Sequence, residues 1–331
     1  MDLRLVRDWL YGQWIAREIA RFHACGGKVV MITGSYGKTS VRELTYDLLR
    51  QKYRVVETSR NYNTAVGIAK TLYWELTPTT QWLIVEVGAY RVGEIAQFAK
   101  WIRPEIGVIT GIARQHLTRF GGWDRIKQAK TELVRYIQQR GGVLIANGSD
   151  ETARELIKEA RWYEGDGREE MNKNGARVIA RACGMSEREI KRAELHQRQV
   201  PSRFEITTER YGMRVIDDSY NSNEKSFRQA LDYLGKQKEY TRILVTPGLL
   251  ELGSESAEIH EQLGKGVSGN TDLVILVGKN ERTRNLEKGI VGKVKVQYIE
   301  KTLDFMKVVK NLKLKKEPLV LIENDIPEDL V

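Results

Sequence analysis

With 331 residues, 41% apolar and 30% charged, the chain is long enough for two globular domains and needs no staples to hold its cores. Lys and Arg number 54 against 44 Asp and Glu, a formal +10 that favours anionic partners such as nucleotides; no aromatic-basic module stands out, which argues against a nucleic-acid binder. The two cysteines, Cys25 and Cys183, lie far apart and outside any CxxC pattern, so a disulfide framework and a cysteine zinc site are excluded. No apolar run approaches the ~20 residues of a membrane span. The N-terminus also lacks a signal-peptide core, so a cytoplasmic location is expected.

Residues 3–24 read as one amphipathic helix, with Leu3, Val6, Leu10, Trp14 and Phe22 near helical spacing and Arg4, Arg7, Arg17 and Arg21 between them. Its aromatic and basic residues suit either a membrane surface or packing on the following domain, and packing is the expected role. From Lys28 onward, apolar strands alternate with helices. Strands are expected at 28–33, 54–58, 82–87, 106–110 and 142–146. Helices are expected at 38–50, 65–76, 93–102, 123–137 and 151–160, followed by a charged helical stretch over 169–197. Near-continuous apolar strands separated by amphipathic helices imply a parallel sheet covered on both faces. At about residue 200 the pattern changes. Segments 204–208 and 213–218 suggest a hairpin that opens a new unit. Strands at 243–246, 273–277, 294–299 and 319–322 then alternate with helices at 225–235, 257–264, 284–289 and 303–311. The expected fold is α/β: a P-loop parallel-sheet ATPase domain over 28–200, behind an N-terminal helix at 1–27, then a smaller doubly wound, Rossmann-like domain over 201–331.

Between the first strand and the first long helix stands Thr33-Gly34-Ser35-Tyr36-Gly37-Lys38-Thr39-Ser40. Backbone N–H groups at a helix N-terminus point at an anion and the helix dipole adds to the attraction. Lys38 is placed to reach β/γ phosphates and Thr39 to put its hydroxyl on Mg²⁺. Gly34 and Gly37 allow close backbone approach. The first glycine of the full Walker pattern is replaced by Ile32. Glu86 closes the apolar strand Trp82–Val87, and a carboxylate at the carboxyl end of a parallel strand suits Mg²⁺.

Further motifs follow in order: Asn61-Tyr62-Asn63, Glu86-Val87-Gly88-Ala89, His116-Leu117, Ala129-Lys130-Thr131-Glu132, Asp217-Asp218-Ser219-Tyr220-Asn221-Ser222-Asn223 and Leu250-Glu251-Leu252-Gly253. With the glycine loop, this series resembles the Mur ligases over roughly residues 28–331. The resemblance implies an ATP-dependent acid–amine ligase: a carboxylate attacks the γ-phosphate, and an amine displaces phosphate from the acyl phosphate. It implies that Lys38, His116 and Lys130 are catalytic. It places ATP on Gly34, Ser35, Tyr36, Gly37, Lys38, Thr39 and Ser40, with Asn172 beside adenine, Arg203 near phosphates and Asp218 on ribose. It assigns Mg²⁺, one ion or two, to Thr39, Glu86, His116 and Lys130, the last as a carbamate. Substrate or interdomain contacts fall to Asn61, Asn63, Tyr220 and Asn223.

The chain departs from the family pattern in three places. The usual N-terminal UDP-binding domain is replaced by the 3–24 helix. The middle domain is shortened around 150–170. Met171, Gly175 and Gly111 stand where the family carries His, Asn and Asn. Two substrate readings follow: a cell-wall precursor, recognised by the N-terminal helix or with the help of a protein partner docked through it, or an acid without a UDP handle. The second-domain motifs look closer to the cell-wall branch than to folate-ligating members. Outside catalysis, the alternatives are a regulatory nucleotide-binding protein and an ATPase activated only by a partner.

Overall fold

The computed structural model describes residues 3–59, 62–195, 206–207, 213–218 and 223–324. The chain divides into two compact units, residues 1–112 with 119–200, and residues 113–118 with 201–331.

The first unit is ordered α1 (Leu3–Ala24), β1 (Lys28–Thr33), α2 (Lys38–Leu49), β2 (Val55–Glu57), α3 (Ala65–Glu75), β3 (Trp82–Glu86), α4 (Glu94–Ile102) and β4 (Ile106–Ile109). After the short helix α5 (Leu117–Phe120) come α6 (Trp123–Gln139), β5 (Val143–Asn147), α7 (Glu151–Leu156), β6 (Arg161–Tyr163), α8 (Arg168–Ala182) and α9 (Glu187–Glu194). Its sheet runs β2-β3-β1-β4-β5-β6, and every pairing is parallel. Strands β3 and β4 are buried along their whole length, as is β1 after Lys28. Such runs suit the middle of a sheet flanked by helices. The chain leaves β1 for the far edge, returns to β3 and then crosses to β4, so β1 lies at the switch point where ligands of open α/β sheets bind.

Helix α1 packs on α3 and α4. A side chain at Gly12 would meet the Trp101 ring at 2.0 Å, so the absence of a Cβ is what lets α1 approach α4. The packing role expected of this helix is thus the one observed. The sequence reading missed β6, a three-residue edge strand. The stretch expected as one helix over 169–197 is two, α8 and α9. Gly184 takes a left-handed φ of 92°, and a Ser186–Glu189 capping box starts the second helix.

The second unit contains β7 (Ile206–Thr207), β8 (Arg214–Asp218), α10 (Glu224–Lys236), β9 (Thr241–Thr246), α11 (Ser256–Asn270), β10 (Leu273–Val277), α12 (Glu281–Gly289), β11 (Lys295–Ile299), α13 (Phe305–Lys310) and β12 (Pro318–Glu323). Its sheet is β11-β10-β9-β12-β8-β7, parallel except for β7, which pairs antiparallel with β8 through Ile206↔Ile216 and Thr207↔Val215. Val245, Ile275, Val320 and Phe305 centre its core. Each fully buried side chain of this kind contributes ~1.5–3 kcal/mol. Helices α11 and α12 cross in close contact because Gly264 and Gly289 lack Cβ atoms; a Cβ at either would fall 2.0–2.1 Å from a carbonyl oxygen of the other helix.

The unit division differs from the expected boundary in one respect. Residues 113–118 belong to the second unit, although they lie within the sequence of the first. Arg114 pairs with Glu255 at 3.3 Å, His116 Nδ1 meets the Glu251 carboxylate, and the Thr118 N–H donates to the Glu251 carbonyl at 3.2 Å. These partners lie far along the chain, where no local pattern announces them.

Candidate active site

The glycine loop joins β1 to α2 at the carboxyl end of the central strand. Gly37 is the N-cap residue of α2 with a left-handed φ of 77°, a conformation glycine adopts without steric cost. The loop is fixed from several sides. The Ser35 N–H donates to Gly111 O at 2.8 Å, the Thr110 hydroxyl donates to Tyr36 O at 2.5 Å, and Lys38 Nζ donates to Gly34 O at 2.8 Å. A Cβ at Gly34 would collide with Thr110 Oγ1 at 2.2 Å. Lys38, Thr39 and Ser40 are half-buried at the start of α2, where the free N–H groups of a first helical turn lie.

Tyr36 accounts for one departure from the family pattern. Its ring fills the space that a side chain at position 111 would need, since a Cβ on Gly111 would lie 2.2 Å from the ring. Its hydroxyl donates to the buried Asp150 carboxylate. Asp150 also caps α7 by accepting from Ala153 N at 2.7 Å, and accepts from Ile112 N at 3.3 Å. Burial, then the Asp150 charge, pushes the Tyr36 phenol well above its ordinary value, so it stays protonated and donates.

Glu86, at the end of β3, is 3% exposed and pairs in register with Ile32, next to the loop. Its N–H donates to Thr58 Oγ1 at 2.9 Å and its Oε2 accepts from Arg42 Nε at 3.3 Å. Arg42, 1% exposed, also reaches Glu57 at 2.5 Å, Glu43 at 3.0 Å and the Thr58 carbonyl. A buried guanidinium needs this many acceptors. Burial pushes the Glu57 carboxyl up to about 7 against the pull of Arg42.

Lys130 on α6 is 4% exposed. Burial, then the like charge of Lys38, pulls its ammonium down to about 7, with Glu132 and Glu94 opposing. Glu132 is engaged at the start of α4, accepting from Gly93 N at 2.5 Å and Ala96 N at 2.9 Å. Asn172 on α8 is buried against the loop, its Oδ1 3.2 Å from where a Gly37 Cβ would stand. Asn63 lies against Gly88, whose N–H donates to the Asn63 carbonyl at 3.1 Å.

The first unit thus assembles Gly34–Ser40, Asn63, Glu86, Lys130 and Asn172. Asp218, Asn223 and His116 belong to the second. Asp218 is buried at the end of β8, its carbonyl accepting from Asn324 N at 3.3 Å. Asn223 caps α10, with Oδ1 accepting from Ser226 N at 3.1 Å. His116 and Glu251 both hold left-handed backbone, φ 56° and 58°, which is uncommon for residues with a Cβ and marks places where surroundings dictate conformation. Asn61, Arg203 and Tyr220 lie outside the described residues.

Sequence reasoning missed Arg42, Asp150 and Glu251 as supports of the site. Arg42 carried a faint signal, three and four residues after Thr39 and Lys38 on the same helical face. It also missed His260, 0% exposed, which accepts from Leu249 N at 2.9 Å through Nε2 and donates from Nδ1 to Ser256 O at 2.6 Å. It fixes the loop that carries Glu251. Burial holds the imidazole below its ordinary value. A folded-state value below the unfolded one gives stability that is present above about 6.5 and lost as pH falls. Urea unfolding between pH 7 and 5 should therefore show decreasing stability, with a His260 contribution of up to ~1.4 kcal/mol per pH unit. His260→Asn should flatten the slope, and an unchanged slope would remove His260 as its source.

A glycine loop at the switch point of one parallel sheet, followed by a second, mostly parallel α/β unit, defines a two-domain protein with a P-loop domain and a Rossmann-like domain. Family profiles agree: "Mur ligase middle domain" matches residues 32–213 and "Mur ligase, glutamate ligase domain" matches 202–323. The chain belongs to the Mur ligase family, a family of ATP-dependent, ADP-forming ligases. It is similar to the UDP-N-acetylmuramoyl-tripeptide–D-alanyl-D-alanine ligase of Escherichia coli, 27% identical over 319 residues that cover 84% of this chain and 69% of the relative. The enzyme of the same name from Mycobacterium tuberculosis is 28% identical over 326 residues, 84% of this chain and 64% of the relative. The chain therefore spans about two thirds of the length of these relatives. Among solved structures, MurF from Acinetobacter baumannii superposes with a TM-score of 0.82 at 25% identity, covering 96% of this chain and 77% of that one. Among the described residues no helix is long and apolar enough to cross a membrane.

Proposed function

We propose that the chain joins a carboxylic acid to an amine at the expense of ATP in the cytoplasm, acting on a peptidoglycan precursor and D-alanyl-D-alanine as its relatives' names describe. The observation that carries this reading is the glycine loop at Gly34–Thr39 with Glu86 in register beside it and Lys130 buried in the same unit. ATP phosphates lie on the loop N–H groups and Lys38. A substrate carboxylate oxygen attacks the γ-phosphorus, and ADP leaves. The amine nitrogen then attacks the acyl carbon and loses a proton, and phosphate leaves with the bridging oxygen. Positioning and charge neutralisation supply most of the acceleration in such transfers.

The donor set fits Mg²⁺, since the Thr39 hydroxyl and Glu86 carboxylate are hard oxygens. The ion, when bound, offsets phosphate charge. Arg42 holds one Glu86 oxygen and so aims the other. Lys130, poised near neutrality, presents a free amine that can attack CO₂: an N–C bond forms, a proton leaves, and the buried cation becomes an anion suited to a metal. In the second unit, Asp218 and His116 are carried by the same reading to ribose and to the metal.

Phosphate release by the purified protein, with UDP-N-acetylmuramoyl-tripeptide and D-alanyl-D-alanine, tests the assignment. Release is expected only with both present. Release with acids that carry no UDP group, and none with the UDP substrate, would move the activity to another amide bond.

A further inference from the structure

Between α1 and α3 runs an apolar groove of about 510 Å³, remote in role from the nucleotide loop. Leu10, Tyr11, Trp14, Tyr73 and Trp74 form much of its lining. Several of these rings face solvent rather than the core. Trp74 is 77% exposed and Tyr73 67%, and the two stand edge to face, with centroids 4.8 Å apart at 90°. Leu10, on the α1 side of the groove, is 57% exposed. Exposed aromatics gathered in one place usually mark an interaction surface.

The charges at this surface bear on what covers it. Its lining includes the cations Arg7 and Lys70 and no carboxylate, although Arg7 also pairs with the neighbouring Asp8 at 2.8 Å. Lys70 stands over the Tyr62 ring at 5.8 Å. Over its described side chains helix α1 carries Arg7, Arg17 and Arg21 against Asp8 and Glu18. Trp and Tyr favour the boundary between water and hydrocarbon, where an apolar ring and a polar edge are both accommodated. Arginine and lysine beside them add attraction to anionic headgroups.

We propose that the α1–α3 face docks the protein on an anionic phospholipid surface, with Leu10, Tyr73 and Trp74 inserted at the headgroup level and Arg7 and Lys70 over the phosphates. The proposal is independent of the ligase reading and concerns peripheral contact only. Binding of this kind scales with buried aromatic area plus the charge of the bilayer, and it weakens with salt.

The test is flotation of the full chain with vesicles of phosphatidylcholine alone or mixed with phosphatidylglycerol, read together with tryptophan emission. Binding to the mixed vesicles with a blue shift, and little to phosphatidylcholine, is expected. Tyr73→Ala combined with Trp74→Ala should weaken it ~tenfold or more while circular dichroism stays unchanged, because both side chains are exposed. Lys70→Glu should weaken it through charge alone and reduce its salt dependence. Absence of binding to the mixed vesicles would overturn the proposal, as would equal binding to both kinds or indifference to the aromatic substitutions. A concentration-dependent dimer that the same substitutions abolish would instead assign the face to a second copy of this chain.

Discussion

Replacing Lys38 with alanine is expected to reduce ATP turnover by ~10²–10³-fold or more, the scale on which one preorganised charge acts in phosphoryl or acyl transfer. The side chain is half-buried at the head of α2 and bonds to Gly34 O at 2.8 Å, so it closes the loop, and on the proposed function it supplies the cation for the phosphates. Its removal costs the fold little, about the ~0.5–1.5 kcal/mol of one hydrogen bond. The expected pattern is therefore an inactive protein with nearly normal unfolding, checked by phosphate release and urea denaturation on the same preparation. Turnover like that of the unsubstituted protein would take the nucleotide away from this loop. A large loss of stability would make the residue structural.

Lys130→Ala is the second large effect. The side chain is 4% exposed and its ammonium is held near 7 by burial and by Lys38, so a charged lysine is disfavoured at that place. On the present reading the working species is an anion formed from the neutral amine. The alanine variant should lose ~10²-fold or more in turnover, as when a positioned group in the transition state is lost. A short carboxylate such as acetate should restore part of it by filling the vacated space with negative charge. In the unsubstituted protein, activity at limiting bicarbonate should rise through about pH 7, because the amine loses its proton over that range. Full activity of Lys130→Ala without added carboxylate would show that no anion is required there.

Much of this site could be read from the chain. The β1–loop–α2 segment is local: an apolar strand, a glycine pair and a Lys-Thr helix start stand consecutively, and the structure folds them as such. The apolar runs of β3, β4 and β10 announced buried parallel strands in the same way. What escaped depends on distant partners. The Tyr36–Asp150 bond joins residues 114 apart, and the His116–Glu251 pair residues 135 apart. No periodicity reports such pairings, which is why residues 113–118 were expected with the first domain and group with the second. Strand β6 escaped because three edge residues carry no pattern of their own. The break between α8 and α9 did carry one, since Ser186 and Glu189 have capping-box spacing, but the charged run around them reads as continuous helix.

The absence of a Cβ at Gly111 also gains a physical meaning. The ring of Tyr36 occupies that volume, and its hydroxyl ties the phosphate loop to Asp150 and through it to the Ile112 N–H. The departure from the family pattern at 111 thus makes room for the Tyr36 ring of the neighbouring loop.

The proposed reaction passes through an acyl phosphate formed at the Gly34–Thr39 loop. Its most direct test is oxygen transfer: the acid substrate labelled with ¹⁸O in its carboxylate is turned over with ATP and the amine, and the released phosphate is weighed by mass spectrometry. One labelled oxygen in each phosphate is the predicted result. Phosphate without label, released while the amide forms, would contradict it.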